Sequence, residues 1–258
     1  MLKSSENKKS KDTDFDWRYR AVTTVAKDWK NPWTGSLWEK GDVIYAVAEV
    51  SYKRGSVSFP VPDTTAMFLN LSYELFEKAN NYFGKLHIQK IKKKKQSLGE
   101  DANIVCFYES LFASIVFSYA ALESFSNHHI PDEYVYIKQD QDGNQIKLSK
   151  DEIERKIALA EKILNILPEI FAIKFSKQKQ AWHEFKKLEG FRNRVVHIKT
   201  RDTKSALKDI DSIWNDLFSE NLIKPYKLAY NVIKEFISNT KKVPIPRWYK
   251  MYPKKMNE

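Results

Sequence analysis

Sulfur is scarce in this chain, with one cysteine and four methionines among 258 residues. A single thiol, Cys106, excludes an internal disulfide framework and any paired-cysteine zinc signature, and it fits a reducing compartment. Cys106 lies in an apolar helical run, so it reads as a small buried hydrophobe rather than a nucleophile. Glycine is equally sparse, at 7 residues, which disfavours a loop-rich scaffold. There is no glycine-rich phosphate loop and no G-x-S-x-G elbow. No run approaches the roughly 18 apolar residues of a membrane span, and residues 1–14 contain no apolar stretch resembling a signal peptide. The expectation is a cytoplasmic protein without membrane contact.

What remains is a chain rich in side chains that pack and side chains that carry charge. Hydrophobic residues make up 42% and aromatics 14%, enough to bury a substantial core, and 30% are charged. The net charge of +11 and pI near 9.4 suit either a polyanionic partner or simply a lysine-rich surface.

Taken in order, residues 1–14 read as a disordered polar tail. Residues 15–62 form a β-rich N-terminal elaboration: 19–25 and 43–52 are strand-like, Lys53-Arg54-Gly55 turns, and 56–61 returns. Trp17, Trp29, Trp33 and Trp38 there either pack or stack on bases. From Asp63 to about residue 240 the pattern is helical. One helix runs from Thr64 to Ile91, followed by Lys92, Lys93, Lys94 and Lys95, which form either a solvated end or a phosphate-contacting patch. A second, the most apolar, covers 101–129 and stops before Pro131. Asp142-Gly143 marks a hairpin inserted between helices. Ser149-Lys150-Asp151-Glu152 is a capping box, opening a helix that Pro168 ends or kinks. The basic, aromatic residues 241–258 form a C-terminal tail that covers the bundle, pairs with a partner or touches RNA. The fold class expected is mainly α: an antiparallel helical bundle with a small antiparallel β elaboration.

The chemistry concentrates in Phe191-Arg192-Asn193-Arg194-Val195-Val196-His197. At 100° per residue, Ala181, Trp182, Phe185, Leu188, Phe191, Val195 and Val196 share one arc with Arg192 at its centre. Asn193 and His197, four apart, sit on its edge, while Arg194, His183 and Lys187 point to solvent. A guanidinium keeps its charge, so on a packed face it must meet a carboxylate or an anion. Glu123, at the edge of the apolar arc of 101–129, is the carboxylate expected to face it. The constellation is therefore either a site or a structural Arg192–Glu123 ion pair.

Arg192-Asn193-x-x-x-His197 resembles the R-x4-H signature of the HEPN superfamily of helical-bundle ribonucleases, with Ala-Leu-Glu-Ser-Phe at 121–125 on an earlier helix. The resemblance spans residues 64–240. It implies a HEPN-like bundle and a metal-independent endoribonuclease without cofactor, in which the RNA 2′-hydroxyl attacks the adjacent phosphate. Arg192, Asn193 and His197 would be catalytic, with Glu123 supporting Arg192; Arg194 and Lys92 to Lys95 would contact RNA. It further implies a homodimer with apposed motif faces, a toxin or phage-defence role and a possible antitoxin. The alternative is a non-catalytic RNA-binding or dimerisation module. Imidazole exchanges protons near neutral pH, and a guanidinium fork suits phosphoryl oxygens. His128-His129 beside Asp132 and Glu133 lacks a third ligand at useful spacing, so no metal site is expected.

Overall fold

The structure, a computed structural model, describes residues 16–32, 35–87, 89–92, 95–97, 101–139, 142–203, 212–218 and 221–256. The chain divides into two compact units, Met1–Met67 with Pro244–Glu258, and Phe68–Val243. Trp33 and the expected tail at 1–14 lie outside the described residues.

The first unit is built from short antiparallel pairs. β1 (Ala21–Thr24), β2 (Trp29–Lys30), β3 (Leu37–Trp38), β4 (Val43–Tyr45), β5 (Val47–Tyr52) and β6 (Gly55–Pro60) pair as β1–β4, β2–β3 and β5–β6. The strand expected over 43–52 is interrupted at Ala46. Its N–H donates to the Arg20 carbonyl at 3.0 Å, and its carbonyl accepts from the Val61 N–H at 2.8 Å. Those two bonds pull Ala46 out of a continuous ladder and join three strands at one residue.

The second unit is mainly helical. α1 (Thr64–Gly84) is shorter than expected: it ends at Gly84, and β7 (Gln89–Lys92) pairs with β8 (Lys95–Ser97). Lys92 thus stands opposite Lys95 in a strand pair; Lys93 and Lys94 lie outside the described residues. α2 (Ala102–His129) starts at Asp101, whose side chain accepts from the Asn103 N–H at 2.9 Å. Backbone N–H groups of Asn103 and His87 hold the Asp101 carboxyl below its ordinary range.

α2 is the one helix among the described residues long and apolar enough to cross a membrane, contrary to the expectation that no run approaches that length. Much of that apolar surface packs instead, against α6 and α8 below, and its most buried stripe includes Ser110, Ser114 and Ser118. Serines this small let α1 come close. Ser114 Oγ donates to the Ser72 carbonyl at 2.8 Å, and Ser72 Oγ meets the Ser114 carbonyl and the Ser118 hydroxyl. Every buried hydroxyl in this crossing thereby finds a partner. Cys106, expected buried, is half-exposed.

β9 (Tyr136–Gln139) and β10 (Gln145–Leu148) form the expected hairpin, with Gly143 at φ 85° in the turn. Ser149 caps α3 (Lys150–Lys156), and the reciprocal Glu152 contact is present. The helix expected to run on to 167 breaks at Ile157. α4 (Leu159–Glu161) leads into a π turn at Lys162–Ile166 and then α5 (Leu167–Phe171). Pro168 supplies a reason: its ring would press on the carbonyl four residues back, and a wider turn relieves that crowding. α6 (Gln180–Val196), a 3-10 turn (Thr200–Thr203), α7 (Ile213–Leu217) and α8 (Pro225–Asn239) complete the unit. α8 buries Ala229, Val232, Ile233 and Phe236 among α2, α5 and α6.

The segment expected as a tail holds α9 (Arg247–Met256), grouped with the first unit. Arg247 donates to the Tyr45 hydroxyl, and the Tyr252 ring lies 5.8 Å from that of Trp17.

The serine crossing generates a stability prediction. Ser114→Ala lowers unfolding free energy by about 1 kcal/mol through the lost hydrogen bonds. Ser114→Val costs about 3 kcal/mol, because added methyls also crowd α1. Urea unfolding measures both, and equal values for the two variants would contradict close helix approach.

Candidate active site at the end of the motif helix

α6 follows the arc read from the sequence for most of its length. Ala181, Phe185, Leu188 and Val195 are buried, while Trp182, Phe191 and Arg192 are half-buried. Val196 departs from it and is exposed, because the helix ends there and its last turn has little to pack against. His197 is the C-cap: its N–H donates to the Asn193 carbonyl at 3.0 Å while its φ and ψ leave the helical region.

Arg192 is half-buried and has no ion pair with a carboxylate among the described residues. Its guanidinium carbon lies 5.0 Å from the centroid of the Tyr119 ring, and Nη1 donates to Asn193 Oδ1 at 3.0 Å. The expected Arg192–Glu123 ion pair is not formed: Glu123 is exposed and has no ion pair with Arg192 among the described residues. Tyr119 occupies the place assigned to Glu123, one helical turn earlier on α2. A cation over an aromatic face keeps its charge and its donors while shedding part of its water. Burial pushes the Tyr119 hydroxyl up to about 12, Glu189 adds to the shift, Arg192 opposes it, and Glu123 adds again. The phenol is therefore neutral across the physiological range.

Asn193 links the other two motif residues. Its side chain accepts from Arg192 and its carbonyl accepts from His197. The His197 ring is exposed and makes no hydrogen bond among the described residues. Around it, Asp202 ties down the chain that follows: its Oδ1 accepts from the Ile213 N–H at 3.2 Å and its carbonyl from Trp214 Nε1 at 2.7 Å. Trp214 in turn stacks on Phe112 of α2 with centroids 5.9 Å apart. The motif end is thus bracketed by α2 and α7.

Arg194 does not point freely to water as expected. It is half-buried and ion-paired with Asp216 of α7, so it fastens the bracket rather than standing free for RNA. For Lys92 and Lys95 only the backbone pairing is described. His183 and His87 are exposed, and His129 shares a hydrogen at 2.8 Å with the Phe125 carbonyl. Among the described residues no group of three His, Cys, Asp or Glu is placed to hold a metal ion.

Lys162 is the residue that sequence reasoning missed. On an ideal wheel it lies opposite Ile153 and Ile157, facing solvent; the break at Ile157 re-phases it. It is buried, donating to Asn127 Oδ1 at 2.8 Å and to the Glu154 carbonyl at 3.1 Å. Burial lowers its affinity for a proton, while Glu123 and then Glu154 act to restore it. The stripe Tyr119, Glu123, Asn127 on α2 therefore has Arg192 at one end and Lys162 at the other, with Lys162 supplying the cationic field at Glu123. No protein-family model matches this chain, and no curated protein or solved structure matches it either.

Two outcomes follow from this arrangement. Arg192→Ala lowers stability by only about 1 kcal/mol, the scale of a partly desolvated cation–π contact, as read by urea unfolding. A loss of 3–5 kcal/mol, typical of a broken buried ion pair, would contradict the geometry. For Lys162, the folded chain binds the proton less tightly than the unfolded chain, so stability rises as pH climbs through the folded value toward 10.5. Lys162→Met removes that rise, so the unfolding midpoint of the variant falls relative to wild type as pH increases through this range.

Proposed function

We propose that this protein is a HEPN-like, metal-independent endoribonuclease of the cytoplasm. The observation that carries the reading is a guanidinium, Arg192, with no ion pair among the described residues and bonded to Asn193 Oδ1, on the same helix end as the exposed side chain of His197. A phosphodiester needs both. Arg192 takes the non-bridging phosphoryl oxygens, where negative charge gathers as the 2′-oxygen attacks phosphorus. The bond to the 5′-oxygen breaks, giving a 2′,3′-cyclic phosphate and a 5′-hydroxyl. His197 accepts the 2′-hydroxyl proton or returns one to the 5′-oxygen. Asn193 holds Arg192 in register with the backbone turn that presents the ring.

One imidazole cannot accept and donate in a single concerted step, so a second copy supplies the partner ring. Val196 and Ile198, both exposed on either side of His197, offer an apolar rim for such a homodimer. Glu123 holds no Arg192 in this reading, and the alternative of a non-catalytic module loses the structural Arg192–Glu123 pair that supported it. A toxin or phage-defence role with a neutralising antitoxin follows from family analogy alone.

Purified protein cleaves single-stranded RNA in EDTA and leaves cyclic-phosphate ends, while His197→Ala lowers the rate by at least about 100-fold, the lower range for lost general acid–base catalysis, with unchanged circular dichroism. Cleavage that survives this substitution, or that requires a divalent cation, would overturn the reading.

A further inference from the structure

The hairpin β5–β6 exposes both of its faces to water, the apolar one included. Its register sets Ala48 opposite Phe59, Val50 opposite Val57 and Tyr52 opposite Gly55, so these side chains share one face. That face is apolar yet open: Tyr52 is 59% exposed, Val57 46%, Val50 44% and Phe59 38%. The polar residues Glu49, Ser51, Ser56 and Ser58 occupy the other face. An alternating strand normally turns its apolar side to a core, and an exposed apolar patch of this kind marks an interaction surface.

The tip supplies charge. Lys53 adopts a left-handed φ of 54°, a conformation unfavourable for a side-chain-bearing residue, and this carries its ammonium to 5.2 Å from the centre of the Tyr52 ring. Arg54 is beside it and exposed. Neither cation is ion-paired with a carboxylate among the described residues, and the apolar face itself contains no acid.

We propose that this hairpin is a binding ribbon for single-stranded RNA, with bases stacking on Tyr52 and Phe59 and phosphates meeting Lys53 and Arg54. Aromatics on a strand face with cations alongside are the combination that recognises splayed bases and their backbone. Tyr52 and Phe59 stand four strand positions apart, roughly 13 Å along the ribbon, a span for two or three nucleotides. A second copy of the chain fits less well, because four part-exposed side chains offer far less than the roughly 800 Å² per partner of a stable interface. The inference takes RNA from the proposed function and does not depend on cleavage.

The test uses the full chain and a fluorescent ten-nucleotide 2′-O-methyl RNA, which cannot be cut. Tyr52→Ser and Phe59→Ser each weaken binding about 10-fold, within the range for one lost stacking partner, and leave the salt dependence unchanged; Tyr52→Phe binds as wild type. Arg54→Gln reduces the slope of log affinity against log salt by about 0.7. Unchanged affinity in both serine variants overturns the proposal, as does equal binding of a duplex of the same sequence. So does loss of a dimer in sedimentation, or of anionic-vesicle binding, as the sole effect of Tyr52→Ser. A wild-type protein that binds this RNA through the hairpin but cuts no RNA leaves the ribbon standing and removes the nuclease.

Discussion

Arg192 rests on the Tyr119 ring with no carboxylate ion-paired to it among the described residues, and the surrounding structure is arranged around that condition. A guanidinium cannot lose its proton to escape burial. It must therefore be paired, hydrated, or laid where an aromatic quadrupole replaces part of its water. Here the third solution is used, with Nη1 donating to Asn193 Oδ1. The acids nearby are engaged elsewhere or held apart: Glu189 pairs with Lys186, Asp216 with Arg194, and Glu123 lies in the field of the buried Lys162.

Holding a cation in that state requires a rigid floor, and α2 provides it. Its serine stripe draws in α1, while its aromatic residues receive α6 at Tyr119 and α7 at Phe112 and Tyr108. Trp214 and Asp202 carry the constraint across the segment beyond His197. The imidazole itself is left exposed at a helix end, with no hydrogen bond to its ring among the described residues.

Local rules made much of this legible in the sequence. The Ser149 box, Asp142-Gly143 and Pro131 each act within a few residues, and each stands where its chemistry indicated. The motif helix was legible because its apolar spacing runs uninterrupted from Ala181 to Val195. Features that depend on distant partners were not. Arg194 meets Asp216 across 22 residues of chain, and nothing periodic announces the contact. Glu123 and Tyr119 occupy the same stripe of α2, so the wheel could not choose between them as the neighbour of Arg192. Lys162 was hidden for another reason: a wheel assumes a constant 100° step, and the chain breaks that step at Ile157 before reaching it.

The π turn has a consequence for how the molecule tolerates change in length. A turn that already contains one residue more than an α-helix needs can lose that residue and close into regular geometry, or keep it, without tearing the hydrogen-bond ladder on either side. A deletion between Lys162 and Ile166 is thus absorbed within a single turn. A deletion between Arg192 and His197 would instead rotate one by about 100° relative to the other and dissolve the constellation. The wide turn therefore tolerates loss of a residue that the end of the motif helix does not.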